Sequence, residues 1–161
     1  MVVSLIVAMT SERVIGSHGT IPWRIREETA LFRQLTTGHA VIMGRGTWLS
    51  LPEASRPLKD RLNIIVSSTM RMADGAVVCS SIADAISEGR KRPGEIFCIG
   101  GAKLYSGMLP FSDRLHISIV DGSYAGDAYF PNIDYSEWRE VSSRQFKDFR
   151  YSEYARRERP G

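Results

Sequence analysis

Two cysteines and three histidines in 161 residues leave little material for disulfide or metal chemistry. Cys79 and Cys98 stand in apolar, strand-like runs with no CxxC spacing and no histidine beside them. Buried, reduced thiols are therefore expected, and no metal site. His18, His39 and His116 are isolated from any serine or acid at the spacing of a nucleophilic triad. Long apolar runs are missing too. The start, residues 1–9, is apolar but lacks a basic n-region and is cut off by Ser11-Glu12-Arg13. It reads as a buried strand, far short of the roughly 20 residues a membrane span needs. Charge of one sign is also scarce: the net charge is +3, and basic residues cluster only at Arg90-Lys91-Arg92 and Arg156-Arg157. Scattered arginines suit small anionic ligands better than a nucleic-acid stripe. No membrane or nucleic-acid partner is expected, and a cytoplasmic setting is.

What is present is a core. With 43% hydrophobic residues the chain can bury one compact domain over 1–161. Short apolar, β-branched runs recur at 3–9, 40–43, 62–66, 76–79, 95–99 and 114–120, separated by helix-like segments at 26–35, 47–51, 82–88 and 103–109. That alternation predicts an α/β fold with a central, mostly parallel sheet and flanking helices. Residues 138–141 and 150–155 alternate polar and apolar, so an antiparallel C-terminal edge is expected. Residues 156–161 read as a frayed polar tail. The segment 10–22 carries Gly16 and Gly19 with little apolar content and reads as a lid.

Three places could carry chemistry. Glu28 shares a helical face with Leu31, Phe32 and Leu35, where an acid is costly unless a donor, cation or ligand meets it. Arg24, Arg26, Glu27 and Glu28 also fit a solvated first-turn charge cluster. Val41 to Trp48 runs from a strand through Gly44 and Gly46 to Thr47, with Arg45 beside them; either an anion cradle or a plain capped turn fits. The dinucleotide fingerprint is incomplete, because Leu49 replaces its third glycine. Glu95 to Tyr105 repeats strand, diglycine and helix around Gly100-Gly101, and two such turns suit a long ligand with several phosphates. Asp121 and Asp127 are read as turn residues.

Taken together and in order, Val14-Ile15-Gly16, Ile21-Pro22-Trp23, Glu28 with Phe32, Val41 to Arg45 with Thr47-Trp48, Arg61, Ile99-Gly100-Gly101 with Tyr105, and Gly126-Asp127 before Phe130-Pro131 resemble the dihydrofolate reductases of bacterial, plasmid or phage type. The resemblance spans essentially the whole chain. It implies NADPH-dependent reduction of 7,8-dihydrofolate to tetrahydrofolate, hydride going to pterin C6 and a proton to N5, in one-carbon and thymidylate metabolism. It also implies a monomer and antifolate-type inhibitors as further ligands. A related-fold pyrimidine reductase of riboflavin synthesis and a basic nucleic-acid-binding module are the alternatives. The Trp23 to Glu28 arrangement opposes the first, and the lack of an aromatic-basic signature opposes the second.

By the same resemblance Glu28 is the pterin-binding carboxylate, Ser118 the hydroxyl that supports it and Trp23 the holder of an ordered water. Ile6, Val7, Phe32, Leu51, Leu58 and Ile99 form the apolar walls, and Arg61 pairs with the substrate's glutamate α-carboxylate. Ala8 and Ile15 serve the nicotinamide end of the cofactor, and Gly16 belongs to the cofactor site as well. Gly44, Arg45, Gly46, Thr47, Ser67, Ser68, Gly100, Gly101, Ala102, Lys103 and Tyr105 serve the rest of it, with Arg45 and Ser68 toward the 2′-phosphate. A cis peptide between Gly100 and Gly101 is implied as well.

Overall fold

Odd-numbered residues of the first strand, β1 (Val3–Thr10), face one core, and Ile6 faces another. That period of two organises the molecule. A computed structural model of the chain describes residues 1–158. After β1 come β2 (Val14–Gly16), α1 (Arg26–Thr36), β3 (Ala40–Gly44), α2 (Arg45–Ser50), β4 (Leu62–Val66) and β5 (Ala76–Cys79). The chain continues through α3 (Ile82–Gly89), β6 (Ile96–Cys98), α4 (Ala102–Met108), β7 (Arg114–Val120), β8 (Ala128–Tyr129), β9 (Trp138–Gln145) and β10 (Phe149–Arg156).

Eight strands form one sheet in the order β5-β4-β3-β6-β1-β7-β10-β9. All pairs from β5 to β7 are parallel, and β10 runs antiparallel to both β7 and β9. The expected α/β, mostly parallel single domain is what forms. One face of the sheet carries Leu5, Val7, Ile42, Ile64, Ile96 and Leu115 against Ala85 of α3 and Leu104 and Met108 of α4. The other carries Ile6, Val41, Met43, Ile65 and Phe97 against Phe32 and Leu35 of α1 and Trp48 of α2. Truncating a fully buried member such as Leu5 costs about 2–5 kcal/mol.

Four boundaries depart from expectation. β9 continues to Gln145 because it is the outer strand, exposed beyond Trp138, and has no apolar alternation to mark its end. Arg156 is no part of a frayed tail: it ends β10, its Nε donates to the Ser112 carbonyl at 2.8 Å and its Nη2 to that of Leu109 at 2.7 Å, and its guanidinium lies over the Trp138 ring. The last part of that tail, 159–161, lies outside the described residues. Within the lid segment, β2 pairs with β8, a ladder of only a few residues that is too short to leave a pattern. α2 begins at Arg45, with Gly44 as its N-cap, two residues before the threonine expected to start it.

Candidate active site

Because β1 and β7 are parallel and in register, Ile6 stands beside His116 and Ala8 beside Ser118; across the next pairing Ser118 stands beside Tyr151 of β10. These side chains share a face. α1 crosses them with Glu28, Leu31, Phe32 and Leu35 at i, i+3, i+4 and i+7. The result is a crevice of ≈200 Å³ lined by Ile6, Glu28, Leu31, Phe32, Leu35, His116, Ser118 and Tyr151. The expected partnership of Glu28, Phe32, Ile6 and Ser118 is thus present in space.

Glu28 is half-buried, and among the described residues its carboxylate has neither a hydrogen bond nor an ion pair. Burial pushes its pKa above the usual carboxylate range. It sits in the first turn of α1, where the helix dipole favours an anion, yet no donor among the described residues reaches it. Trp23 is buried and packs edge-on against Tyr124, with ring centroids 5.3 Å apart. Its cluster includes Leu31 and Tyr151, which line the crevice, and its indole Nε1 has no partner among the described residues. A buried donor left unpaired is uncommon and calls for a water or ligand.

The apolar wall continues away from the crevice through Leu51, Leu58 and Ile99, which pack on the same cluster as Phe32 and Leu35. It ends at Arg61. The guanidinium there is held by Nε donating to the Lys59 carbonyl at 2.8 Å and Nη1 to Thr36 Oγ1 at 3.2 Å, which leaves Nη2 without a partner among the described residues. Burial, with Arg33 nearby, lowers its pKa from an ordinary guanidinium value. Val7 does not belong to this wall. Strand alternation turns its side chain into the opposite core with Val3, Leu5 and Met9, so only its backbone lies on the crevice side.

The two glycine turns, separate in the sequence, meet at the carboxyl ends of β3 and β6. Gly44 donates its N–H to the Gly100 carbonyl at 2.9 Å, and a Cβ placed on Gly101 would lie 3.9 Å from Thr47 Oγ1. The Gly100–Gly101 peptide is cis, as is Arg56–Pro57. Gly100 has φ 106°, and a Cβ there would press on the Tyr105 ring at 2.9 Å, so no other residue fits. Tyr105 ties this turn to the crevice, since its hydroxyl donates to the Ile6 carbonyl at 2.8 Å. Burial, with Cys98 and Glu28 adding, holds its phenol well above the usual range.

Around the turns Arg45, Lys103 and Ser68 are exposed, and the stretches Gly44 to Thr47, Ser67-Ser68 and Gly100 to Lys103 contain no acid. Such donors at the carboxyl ends of parallel strands suit phosphates. Ser67 is less free, because its Oγ accepts from the N–H groups of Thr69 and Met70 at 3.2 and 3.0 Å.

Asp127 proves more than a turn residue. Its N–H donates to the Gly16 carbonyl at 3.0 Å and its carboxylate accepts from the His18 N–H, fastening β2 and the residues just after it. Two further residues at the crevice were missed, His116 and Tyr151. The alternation of β7 that places Ser118 there also places His116, two residues earlier, and was the available signal.

A family model described as dihydrofolate reductase matches residues 2–157. The dihydrofolate reductase of Bacillus subtilis (strain 168) is 40% identical over 144 residues, covering 89% of this chain and 83% of the relative. That of Mycobacterium tuberculosis (strain CDC 1551 / Oshkosh) is 41% identical over 141 residues, covering 85% and 84%. Among solved structures, dihydrofolate reductase from Enterococcus faecalis complexed with NADP(H) and RAB-propyl superposes with TM-score 0.87 at 26% identity, covering 98% of this chain and 97% of that one. With the lone crevice acid, the joined glycine turns and the strand order already in place, the chain belongs to the dihydrofolate reductase family.

Proposed function

We propose that the chain reduces 7,8-dihydrofolate to 5,6,7,8-tetrahydrofolate with NADPH in one-carbon and thymidylate metabolism, the pterin lying in the α1 crevice and the cofactor along the two glycine turns. Glu28 carries this assignment. A half-buried carboxylate with no partner among the described residues is matched by a ligand that offers it two donors, and the pterin 2-amino group and N3 form such a pair.

NADPH supplies the hydride delivered to pterin C6. The protein orients the two rings and excludes water. Glu28 fixes the pterin and favours protonation at N5 by stabilising the positive charge that develops there. Ser118 supports the acid, and the unpaired Trp23 Nε1 holds a water beside it. Ile6, Phe32, Leu51, Leu58 and Ile99 enclose the pterin and benzoyl rings, and Arg61 takes the glutamate α-carboxylate. Ala8, Ile15 and Gly16 present backbone to the nicotinamide end of NADPH, while Gly44 to Thr47, Ser68 and Gly100 to Lys103 hold its phosphates and adenosine. Monomeric action in the cytoplasm belongs to the same proposal: one chain's β1, β7, β10 and α1 complete the crevice, and both cysteines are free and buried. The test is NADPH absorbance with and without dihydrofolate. Substrate-dependent oxidation by the wild type and its loss in Glu28→Gln support the assignment, and an absence of substrate dependence would sink it.

A further inference from the structure

His116 and Tyr151 line the crevice, yet the chemistry assigned so far gives neither a part. Tyr151 is seated there by register: it pairs with Ser118, and Ser118 pairs with Ala8, so the phenol rises on the face that α1 covers. Its hydroxyl meets His116 Nδ1 at 2.6 Å. The imidazole is only 4% exposed, and its surroundings fix which nitrogen carries the proton.

Against the effect of burial, hydrogen bonds from His116 and Ser4 hold the Glu95 carboxyl below its ordinary range. An ionised carboxylate only accepts, so His116 Nε2, 2.9 Å from Glu95 Oε2, is the donor. In the neutral ring Nδ1 is then the acceptor, and Tyr151 O–H donates to it. The phenol keeps its proton, because burial, with Glu153 and Glu95 adding, pushes its pKa far above the ordinary range. Its O–H therefore points at His116, and its lone pairs are left to the crevice. The other groups facing the ring do not compete for Nδ1. Glu153 Oε1 lies 3.6 Å from it, past hydrogen-bond reach, and Glu153 Oε2 pairs with Arg114 at 3.2 Å. Phe97 packs on the ring with centroids 5.4 Å apart, and Glu28 belongs to the opposite wall of the crevice.

We propose that His116 is a positioning residue for the pterin end of the substrate: tied to Glu95, it holds the Tyr151 hydroxyl as an acceptor toward the crevice, where that oxygen takes, directly or through one bridging water, the N–H of the pterin 2-amino group that Glu28 leaves over. This rests on the Glu28 assignment made above. An amino group has two N–H bonds. Glu28 takes one of them together with N3–H, and the second is costly to bury without an acceptor. The arrangement reverses in acid. A second proton, placed on Nδ1 from solvent, makes His116 the donor to Tyr151, whose own O–H then turns into the crevice and meets the amino group donor to donor.

Steady-state kinetics at saturating NADPH between about pH 5.5 and about pH 8 test this, the range in which an imidazole changes charge. Tyr151→Phe keeps the ring that packs with Trp23 and Leu31 and removes only the hydroxyl. At the alkaline end it should raise KM for dihydrofolate about two- to tenfold, with kcat changed less than about twofold. The ratio of its KM to that of the wild type should fall toward one in acid, where the wild type has lost its acceptor. Taking the ratio cancels the substrate's own titration, and a merely structural role for the hydroxyl would not make it depend on pH. His116→Gln has an amide donor for Glu95 but no second proton to gain, so it should lose the acid-side rise in KM that the wild type shows relative to Tyr151→Phe. Nitrogen NMR of histidine-labelled protein, with only three histidines to assign, reads the ring directly. A buried imidazole protonated at Nε2 is expected at the alkaline end, its Nδ1 resonance moving in Tyr151→Phe and when dihydrofolate and NADP+ are added to the wild type. A ring protonated at Nδ1 instead, an unchanged KM in Tyr151→Phe, or one KM ratio across the whole pH range would each overturn the proposal. Those outcomes leave dihydrofolate reduction standing, whereas a wild type without substrate-dependent NADPH oxidation would remove the underlying function instead.

Discussion

His116 is buried between Glu95 and Tyr151, with Nε2 2.9 Å from a Glu95 oxygen and Nδ1 2.6 Å from the Tyr151 hydroxyl. Ser4 donates its hydroxyl to the same Glu95 oxygen at 2.6 Å, so the network joins β1, β7 and β10 to the residue just before β6 beneath the crevice. Burial alone would push the Glu95 pKa up, but the hydrogen bonds from His116 and Ser4 and the charges of His116 and Arg114 outweigh it and hold the carboxyl below its ordinary range. A depressed carboxyl contributes stability that is present above its unfolded pKa and lost as pH falls through the folded value. His116→Phe should therefore cost about 1–3 kcal/mol in urea unfolding at neutral pH. It should also flatten the loss of stability on acidification. Combination with Glu95→Gln is expected to be less than additive, since the two share one network. Strict additivity would mean that the pair is not coupled.

Glu28 works in the opposite sense. Its pKa is raised by burial, so folding favours the neutral acid, and the contribution present below the unfolded pKa is lost as pH rises through the folded one. Glu28→Gln should therefore make the ligand-free protein more resistant to urea than the wild type at neutral pH, the two converging in mild acid. Turnover should move the other way, falling by about 10²–10⁴ at neutral pH and recovering in part as the medium itself protonates the pterin. A variant less stable than wild type at neutral pH, or equal to it in activity across pH, would contradict this role.

Much of the fold was legible because parallel strands covered on both faces leave continuous apolar runs, and β1, β3, β4 and β7 are such runs. What escaped was where packing leaves no pattern. β9 is exposed after Trp138, and the β2–β8 pairing is a few residues long. At the site, Glu28 with Phe32 could be read from helical spacing, and each glycine turn from its strand-to-helix context. That the two turns touch through Gly44 and Gly100 is a fact of strand order, β3-β6-β1, which no local pattern carries. The Val7 error has a simple source: Val7 neighbours Ile6 in the chain, but consecutive strand residues face opposite ways.

Gly126 tests the lid. A Cβ there would overlap the Val14 side chain and the Gly16 carbonyl, the same carbonyl that accepts the Asp127 N–H. Gly126→Ala should thus displace β2 from β8 without touching the crevice walls. A fall in turnover of about one to two powers of ten is expected, the scale on which small misplacements act. Amide exchange at His18 should quicken along with it. Unchanged exchange together with unchanged turnover would show that the lid does not depend on this contact.

Arg45 is expected to separate the two nicotinamide cofactors. It is the first residue of α2, exposed, and among the described residues has no acid partner, so its guanidinium is free to pair with an added phosphate. A 2′-phosphate offers it a charge-assisted, bidentate contact, whereas a 2′-hydroxyl offers little. Such a bond contributes about 1.5–3 kcal/mol, or one to two powers of ten in affinity. Arg45→Ala should accordingly raise KM for NADPH by about 10- to 100-fold while changing KM for NADH by less than about threefold, with kcat for both nearly preserved because the hydride-bearing ring lies at the far end of the cofactor. Ser68→Ala should produce a smaller loss of the same kind, since a neutral hydroxyl forms the weaker bond. Equal losses for the two cofactors in Arg45→Ala would place the guanidinium on the pyrophosphate they share and leave 2′-phosphate recognition to other groups.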